Sequence, residues 1–299
     1  MPQKFKNQIQ VGLFKLVLRR TCCLCTVGQV VHSLPEGEAV WGVTSLADEV
    51  YVLRDKEREQ VEVYDVINYS LQRHLSVPNI RGFVDMTSCE HYRCVYIANN
   101  NDNCIHGLAV DVPRAGTWWC VNDQPAGLSV NVAHNVLVTC PEVGKIKEYS
   151  SRGDLVREIS LPDDVNSSWH AIQLTNGQFI VCHGDLDDPV RRVCKINTDG
   201  HDIVQSHGGR PGSNIGQYRL PSHLAVDDNE FVFVVDIYNK RVTLLSATLD
   251  YVRQVVSHDT LKWWPGRLYL DAQRRRLYVT ENECENDEWR AGRVVVFSV

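Results

Sequence analysis

One five-residue pattern recurs along the chain and constrains its fold more than any other feature. Each copy has two apolar or aromatic residues, then a β-branched residue, and in most copies a small residue and a polar one. The six copies lie 41 to 53 residues apart and begin at Val50, Val95, Val136, Phe179, Val232 and Leu277. Short β-branched and aromatic runs bounded by polar turns are typical of β-strands. The repeat therefore predicts an all-β chain in which one structural unit occurs six times.

Each copy of the pattern has strand-like neighbours on both sides. A short apolar segment precedes it, and these segments are residues 41–44, 83–86, 126–130, 170–174, 223–226 and 267–270. An alternating segment follows each copy, and five of the six units continue into a fourth segment. Four antiparallel strands repeated every 40-odd residues predict a six-bladed β-propeller, in which each blade is covered by two neighbours.

The two ends of the chain predict how such a ring closes. The sequence ends at Val299 on the third strand of the sixth unit, which leaves that unit without its outer strand. Residues 28–34 resemble the fourth strand of the fourth unit, residues 202–206. We therefore expect this N-terminal strand to complete blade six and to protect its edge. The predicted division is a flexible basic leader over residues 1–27 and a propeller over residues 28–299.

The fifth unit carries a motif that resembles the NHL repeat. A glycine-rich turn with Gly-Gln-Tyr and Pro221 leads into His-Leu-Ala-Val-Asp, then a strand ending at Asp236, then Asn239-Lys-Arg-Val. NHL propellers occur at the C-terminal end of tripartite-motif ubiquitin ligases, so the resemblance implies recognition of a substrate protein or an RNA. The chain lacks the RING and B-box cysteine–histidine patterns, and Cys22 and Cys25 supply only two of the four ligands of structural zinc. We therefore expect a non-enzymatic interaction module without ligase activity of its own.

Charge and composition restrict the expected class of partner and the expected location. The chain has a net charge of −6, and without the five basic residues of the leader the remainder reaches −11. An acidic surface disfavours RNA and favours a protein partner with a basic segment. No apolar run is long enough to cross a membrane. The 11 cysteines show no regular disulfide spacing, which favours a reducing, cytoplasmic location. The isolated domain is expected to be a monomer.

The loops that join second to third strands are rich in acidic residues. In propellers this face often binds partners, so the sequence predicts a docking surface for a basic segment. A solvated rim and a calcium site are the alternatives. Asp236 and Arg241 end and begin adjacent strands, so they are predicted to form a rim ion pair, with ligand contact as the alternative. The acidic candidates are Asp55, Glu57, Asp185, Asp187, Asp188, Glu281 and Glu283.

Two histidines occupy equivalent places on neighbouring inner strands. His170 and His223 are therefore expected to flank the central channel together. Some NHL-like propellers are amidating lyases that hold zinc with three channel histidines, and a lyase or lactonase is accordingly a further alternative. The corresponding positions here are assigned to Gly42, Gly127 and Arg267, with Phe83 or Val84 in blade two. With no third ligand, we expect structural histidines, no metal and no cofactor.

Overall fold

The computed structural model describes residues 28–54, 60–77, 85–111, 116–286 and 288–299. They form six four-stranded antiparallel sheets arranged in a ring, so the predicted all-β six-bladed propeller is confirmed. Blade one contains β2 (Val40–Leu46), β3 (Glu49–Arg54), β4 (Gln60–Asp65) and β5 (Leu71–Ser76). Blade two contains β6 (Met86–Cys89), β7 (Cys94–Asn99), β8 (Cys104–Ala109) and β9 (Gly116–Cys120). Blade three contains β10 (Gly127–Val130), β11 (Val136–Cys140), β12 (Lys145–Tyr149) and β13 (Leu155–Ser160).

The second half of the ring has the same organisation. Blade four contains β14 (Ser168–Gln173), β15 (Phe179–His183), β16 (Arg191–Ile196) and β17 (Ile203–Gly209). Blade five contains β18 (Pro221–Val226), β19 (Val232–Asp236), β20 (Arg241–Leu245) and β21 (Tyr251–Val256). Blade six contains β22 (Trp264–Asp271), β23 (Arg276–Glu285), β24 (Glu288–Ser298) and β1 (Val30–Ser33). Short 3₁₀ turns at Pro141–Val143 and Ile237–Asn239 join second to third strands.

The five-residue pattern is explained by burial on both faces of the second strand. In β3, Val50 and Val52 pack into the interface with blade six, while Tyr51 and Leu53 pack into the interface with blade two. Successive side chains of a strand point to opposite faces, so both positions must be apolar when both faces are covered. Among the described residues, six apolar clusters fill the six gaps between neighbouring blades.

The predicted closure of the ring is confirmed. Strand β1 pairs antiparallel with β24, with Val30 opposite Phe297. The Leu34 amide donates to the carbonyl oxygen of Val294 at 2.9 Å, and the Gly28 amide donates to that of Ser298 at 2.8 Å. Blade six is therefore assembled from both ends of the propeller sequence.

One inner strand differs from its prediction. Residues 83–86 were expected to form it in blade two, but β6 covers Met86–Cys89. Met86 lies opposite Ile97, and the Asp85 carbonyl oxygen accepts the Ala98 amide at 2.9 Å. The apolar pair Phe83 and Val84 suggested the earlier start, and it lies outside the described residues. The register is fixed by the pairing with β7, which the apolar composition does not indicate.

A membrane-spanning helix was not expected from the sequence. None of the described residues belongs to a helix that is long and apolar enough to cross a membrane.

Candidate functional site

The inner strands bring one residue from each blade to the same level of the central channel. In blades one, three, four and five this residue pairs with the fourth residue of the five-residue pattern. In blades two and six it lies directly beside a strand pair that has the same register. The six residues are Gly42, Asp85, Gly127, His170, His223 and Arg267. The polar ones come from blades two, four, five and six, and we call these four residues the channel cluster.

Asp85 lies at the centre of the channel cluster with 1% of its surface exposed. Its Oδ2 accepts the Leu128 amide at 2.8 Å and lies 3.2 Å from His223 Nε2. Its Oδ1 lies 3.3 Å from Arg267 Nε. Blades two and five are opposite each other in a ring of six, so the contact between Asp85 and His223 crosses the channel.

The two histidines stack on each other inside the channel. Their ring centroids are 3.8 Å apart, and the exposed fractions of His170 and His223 are 2% and 5%. His170 Nε2 lies 2.9 Å from the carbonyl oxygen of Leu128 and 4.0 Å from Asp85 Oδ2. The Nδ1 atoms of both rings are buried and have no hydrogen-bond partner among the described residues.

The remaining two channel positions are glycines because the space beside them is filled. A Cβ atom on Gly127 would lie 2.4 Å from the carbonyl oxygen of Trp169 and 2.9 Å from the His170 ring. A Cβ atom on Gly42 would lie 2.7 Å from Cγ of Met86. Both positions therefore let neighbouring chain segments approach the channel closely.

The environment sets the charge of each member of the cluster. Burial opposes ionisation of Asp85, but the facing His223 and Arg267 hold the pKa of its carboxyl below the usual range. Burial and the neighbouring His223 lower the pKa of His170 to about 3, and burial likewise lowers the pKa of His223. At neutral pH the site therefore contains a carboxylate, a guanidinium and two neutral imidazoles.

The prediction that the histidine pair lacks a third metal-capable neighbour is wrong. Phe83 or Val84 was assigned to the blade-two position, whereas Asp85 holds it. Asp85, His170 and His223 each place one donor atom within 4.8 Å of the other two. The sequence signal that could have found Asp85 was its spacing from Ala98, because the other channel residues precede the fourth position of the pattern by a similar number of residues.

The predicted acidic docking residues divide into exposed and buried groups. Asp187 is exposed, and Asp185, Asp188 and Glu283 are half-buried. In their loop, the Asp188 carboxylate accepts the Asp185 amide at 2.6 Å. Asp55 and Glu57 lie outside the described residues.

Asp236 and Arg241 form a buried pair that holds a neighbouring loop. Arg241 Nη2 and Nε lie 2.9 and 3.0 Å from Asp236 Oδ2, while Asp236 Oδ1 accepts the amides of Arg219 and Leu220. Arg241 also donates to the carbonyl oxygen of Ser213 at 3.0 Å. Both side chains are thus engaged with loop 210–220 and are positioned as structural supports.

Glu281 plays the same part in blade six. It is completely buried, forms an ion pair with Arg293 and accepts the Trp263 amide at 3.0 Å. In blade four the equivalent residue is His183, which accepts from Arg192 Nε at 3.0 Å. The fifth residue of the pattern thus supports the loop before the first strand in all three blades.

Acidity alone does not distinguish one face of the ring. We call the side that carries the loops between second and third strands, together with those between blades, the upper face. Asp187 is exposed there, but Asp48, Glu90 and Asp111 are exposed on the opposite side. A basic partner segment would therefore meet acidic groups on either face.

The upper face of blades four to six also carries exposed apolar and aromatic side chains. Leu186 lies in the loop 184–190 and Ile215 in the loop 210–220, and they are 49% and 72% exposed. Tyr238 is 37% exposed and contacts the Trp264 ring at 5.5 Å between centroids. Lys240 Nζ lies 4.3 Å from the centroid of the Trp264 ring. We call Leu186, Ile215, Tyr238 and Trp264 the upper apolar group.

Comparison with known proteins finds similarity in the fold and none in the sequence. No protein-family model matches the sequence, and no curated protein matches it. Virginiamycin B lyase from Staphylococcus aureus superimposes with a TM-score of 0.60 at 12% identity, over 89% of this chain and 99% of that one. Hydrazine synthase from Kuenenia stuttgartiensis gives a TM-score of 0.61 at 12% identity, over 91% and 98%.

A propeller domain outside these enzymes is equally similar. The WD40 β-propeller domain of Doa1 superimposes with a TM-score of 0.59 at 11% identity, over 89% of this chain and 96% of that domain. At such identities the similarity extends to the fold alone, and one fold serves many functions. The propeller architecture is therefore confirmed, while the resemblance to tripartite-motif proteins stays a prediction.

Proposed function

We propose that the chain is a non-enzymatic protein-interaction module that binds a protein partner on the upper face of blades four to six. The observation that supports this most is the upper apolar group, because Ile215 is 72% exposed although it lies on a tightly held loop. Aromatic and apolar side chains on a rigid support are common energetic centres of protein interfaces. The acidic residues Asp187 and Glu283 would surround them as a polar rim.

The loops that carry these side chains are fixed by buried arginines. Arg191 donates to the carbonyl oxygen of Leu186 and, at 2.8 Å, to that of Arg219. Arg241 donates to Ser213 in the loop that carries Ile215. A preformed surface loses less conformational entropy on binding than a mobile one. Arg191 and Arg241 therefore support binding by positioning the loops.

The burial of the channel cluster supports a non-enzymatic role. Asp85, His170 and His223 are 1%, 2% and 5% exposed, so a substrate would have little access to their reactive atoms. The acids and bases of an active site must reach the proton that they transfer, directly or through one water molecule.

The finer part of the proposal is the class of partner. The NHL-like motif in blade five supports a role in recognising a substrate protein for a ubiquitin ligase, and the acidic rim favours a basic segment in that substrate. RNA binding is the competing outcome. It would appear as a complex that weakens steeply as salt is raised.

The experiment compares partner binding by matched surface variants. Ile215→Asp and Tyr238→Ala alter the upper apolar group, and Val132→Asp changes a residue that is 62% exposed on the opposite face. Crosslinking and mass spectrometry of the tagged chain should recover one protein with the wild type and with Val132→Asp. The Ile215→Asp variant should lose at least 10-fold in affinity for that protein. Equal binding by all variants, or binding of RNA alone, would overturn the proposal.

A further inference from the structure

We propose that Asp85, His170 and His223 bind one divalent first-row transition-metal ion in the channel. The ion would be held between blades two, four and five, and zinc is the natural probe for a site with two imidazoles and one carboxylate. The three ligands are not members of the upper apolar group, so the inference does not depend on the proposed protein partner.

The spacing of the donor atoms carries the inference. Zinc ligands lie about 2.0 to 2.2 Å from the ion in a tetrahedral arrangement, so two ligands are separated by roughly 3.4 Å. Asp85 Oδ2 lies 3.2 Å from His223 Nε2 and 4.0 Å from His170 Nε2. The carbonyl oxygen of Leu128, 2.9 Å from His170 Nε2, is a fourth donor at the same place. The three side-chain donors lie within 4.8 Å of one another, so one ion between them would bind all three after small side-chain shifts.

The surroundings of the carboxylate resemble those of a metal ligand. One oxygen of Asp85 faces the two imidazoles, while the other is held 3.3 Å from Arg267 Nε. Ligating carboxylates are commonly oriented by such an outer partner.

The competing arrangement is a network of protein groups alone. In it, His223 donates its Nε2 proton to Asp85, His170 donates its Nε2 proton to Leu128, and Arg267 balances the carboxylate. The positive charge of Arg267 opposes a second cation nearby, so the ion must gain enough from its ligands to offset that repulsion. The two arrangements predict different metal contents, and this difference can be measured directly.

The first measurement uses the wild-type chain. The purified protein is treated with a chelator, dialysed and titrated with zinc chloride while melting temperature and bound metal are recorded. We expect one ion per chain, and at free zinc 100 times the dissociation constant the ratio of folded to unfolded protein should rise about 100-fold. A chain that takes up no ion and melts at the same temperature with or without zinc would refute the site.

Variants separate this site from adventitious zinc on other histidines. His170→Ala and His223→Ala should each reduce zinc affinity at least 10-fold, and Asp85→Asn should do the same. His183→Ala is the matched control, because His183 is equally buried but binds Arg192 instead. Cobalt(II) bound to the wild-type chain should show the visible absorption bands of an ion with nitrogen and oxygen ligands. Unchanged zinc binding by both His170→Ala and His223→Ala would place the metal elsewhere and overturn the inference.

A different observation carries a second inference, in blade two. Cys104 and Cys120 are opposite each other on β8 and β9, and their Sγ atoms are 3.2 Å apart. The Val121 amide donates to the Asn103 carbonyl oxygen, so the cysteines occupy the more closely spaced kind of antiparallel pair. Their Cα spacing, about 4.5 Å in such pairs, falls within the range that a disulfide spans. We infer that this pair is a site of reversible disulfide formation.

The chemistry needs one oxidant of the disulfide class, such as glutathione disulfide. The Cys120 thiol is exposed and Cys104 is buried, so Cys120 meets the oxidant first. Its thiolate attacks one glutathione sulfur, forming a mixed disulfide and releasing one glutathione thiolate. Cys104 then gives up its proton and attacks the Cys120 sulfur, which releases the second glutathione. Two cysteine thiols are oxidised, one glutathione disulfide is reduced, and the two protons pass to the two glutathione molecules.

Peptide mapping tests this directly. The wild-type chain treated with glutathione disulfide should yield a crosslinked peptide joining residues 104 and 120, and a reductant should abolish it. Cys104→Ser should instead retain glutathione on Cys120, while Cys284→Ser, which removes another exposed thiol, should behave as the wild type. A wild-type chain that keeps glutathione on Cys120 and forms no crosslink would refute the inference.

Discussion

Deleting residues 1–34 should destabilise the propeller strongly compared with deleting residues 1–27. The two truncations differ only in residues 28–34, which contain the closing strand β1. Without them, blade six has three strands, and β24 becomes an open edge in place of a paired strand. Open edges also promote association between chains. The difference between the truncations therefore isolates the contribution of ring closure.

The size of the effect can be worked from the contacts. Besides the β1–β24 ladder, three main-chain hydrogen bonds join Gly28 to Ser298, Ser298 to Gln29 and Leu34 to Val294. Each contributes about 1 kcal/mol net. Leu34 is 1% exposed, and its burial contributes about 2 kcal/mol. Without the ladder these contributions already sum to roughly 5 kcal/mol, a large part of the 5–15 kcal/mol that typically stabilises a folded protein.

Thermal and urea unfolding of both truncations measure this difference. For a domain of this size, roughly 5 kcal/mol corresponds to a melting temperature about 10 to 20 °C lower. Leu34→Ala in the full chain is the matched point variant, and it should cost about 2 to 5 kcal/mol because it leaves a cavity. Equal melting temperatures for the two truncations would refute the conclusion that β1 stabilises the closed propeller.

Three further predictions concern buried groups. Arg241→Ala should destabilise the chain by about 3 to 5 kcal/mol in urea unfolding, because it leaves the buried Asp236 carboxylate without its cation; a loss below 1 kcal/mol would contradict this. Gly127→Ala should cost about 1 to 3 kcal/mol by the same assay, since its Cβ has no space beside Trp169, and an unchanged midpoint would count against it. The pKa of His170 falls from about 6.5 when unfolded to about 3 when folded. The contribution of the neutral His170 side chain to the free energy of unfolding is therefore complete above pH 6.5 and is lost as pH falls towards 3. His170→Gln should reduce the change in the free energy of unfolding between pH 7 and 5.

The second strands were the most predictable elements of the fold. Residues such as Val50 and Tyr51 are apolar at consecutive positions because each faces a different neighbouring blade, and that double burial is visible in the sequence. The closing strand was also predictable, because the sixth unit lacked a fourth strand. These features depend on local composition and on counting repeats.

The candidate site was less predictable because it depends on register and on the direction of side chains. His170 and His223 were found because they precede similar apolar strands, but Asp85 follows an apolar pair that suggested a different start for its strand. Glu281 was predicted on a docking face since it lies next to a loop, but its side chain turns inward to Arg293, and no local sequence pattern distinguishes these two directions. The pairing of Asp236 with Arg241 was predicted, because the two residues end and begin adjacent strands.

The pairing of β1 with β24 also fixes where the two ends of the described propeller leave it. Gly28 and Ser298 are joined by a hydrogen bond of 2.8 Å, so both ends emerge side by side at the outer part of blade six. A short linker could join them, and new termini could be opened in a loop between two other blades to give a circularly permuted ring. Anything fused to either end would be delivered beside blade six, leaving the channel mouth and the loops of blades four and five uncovered.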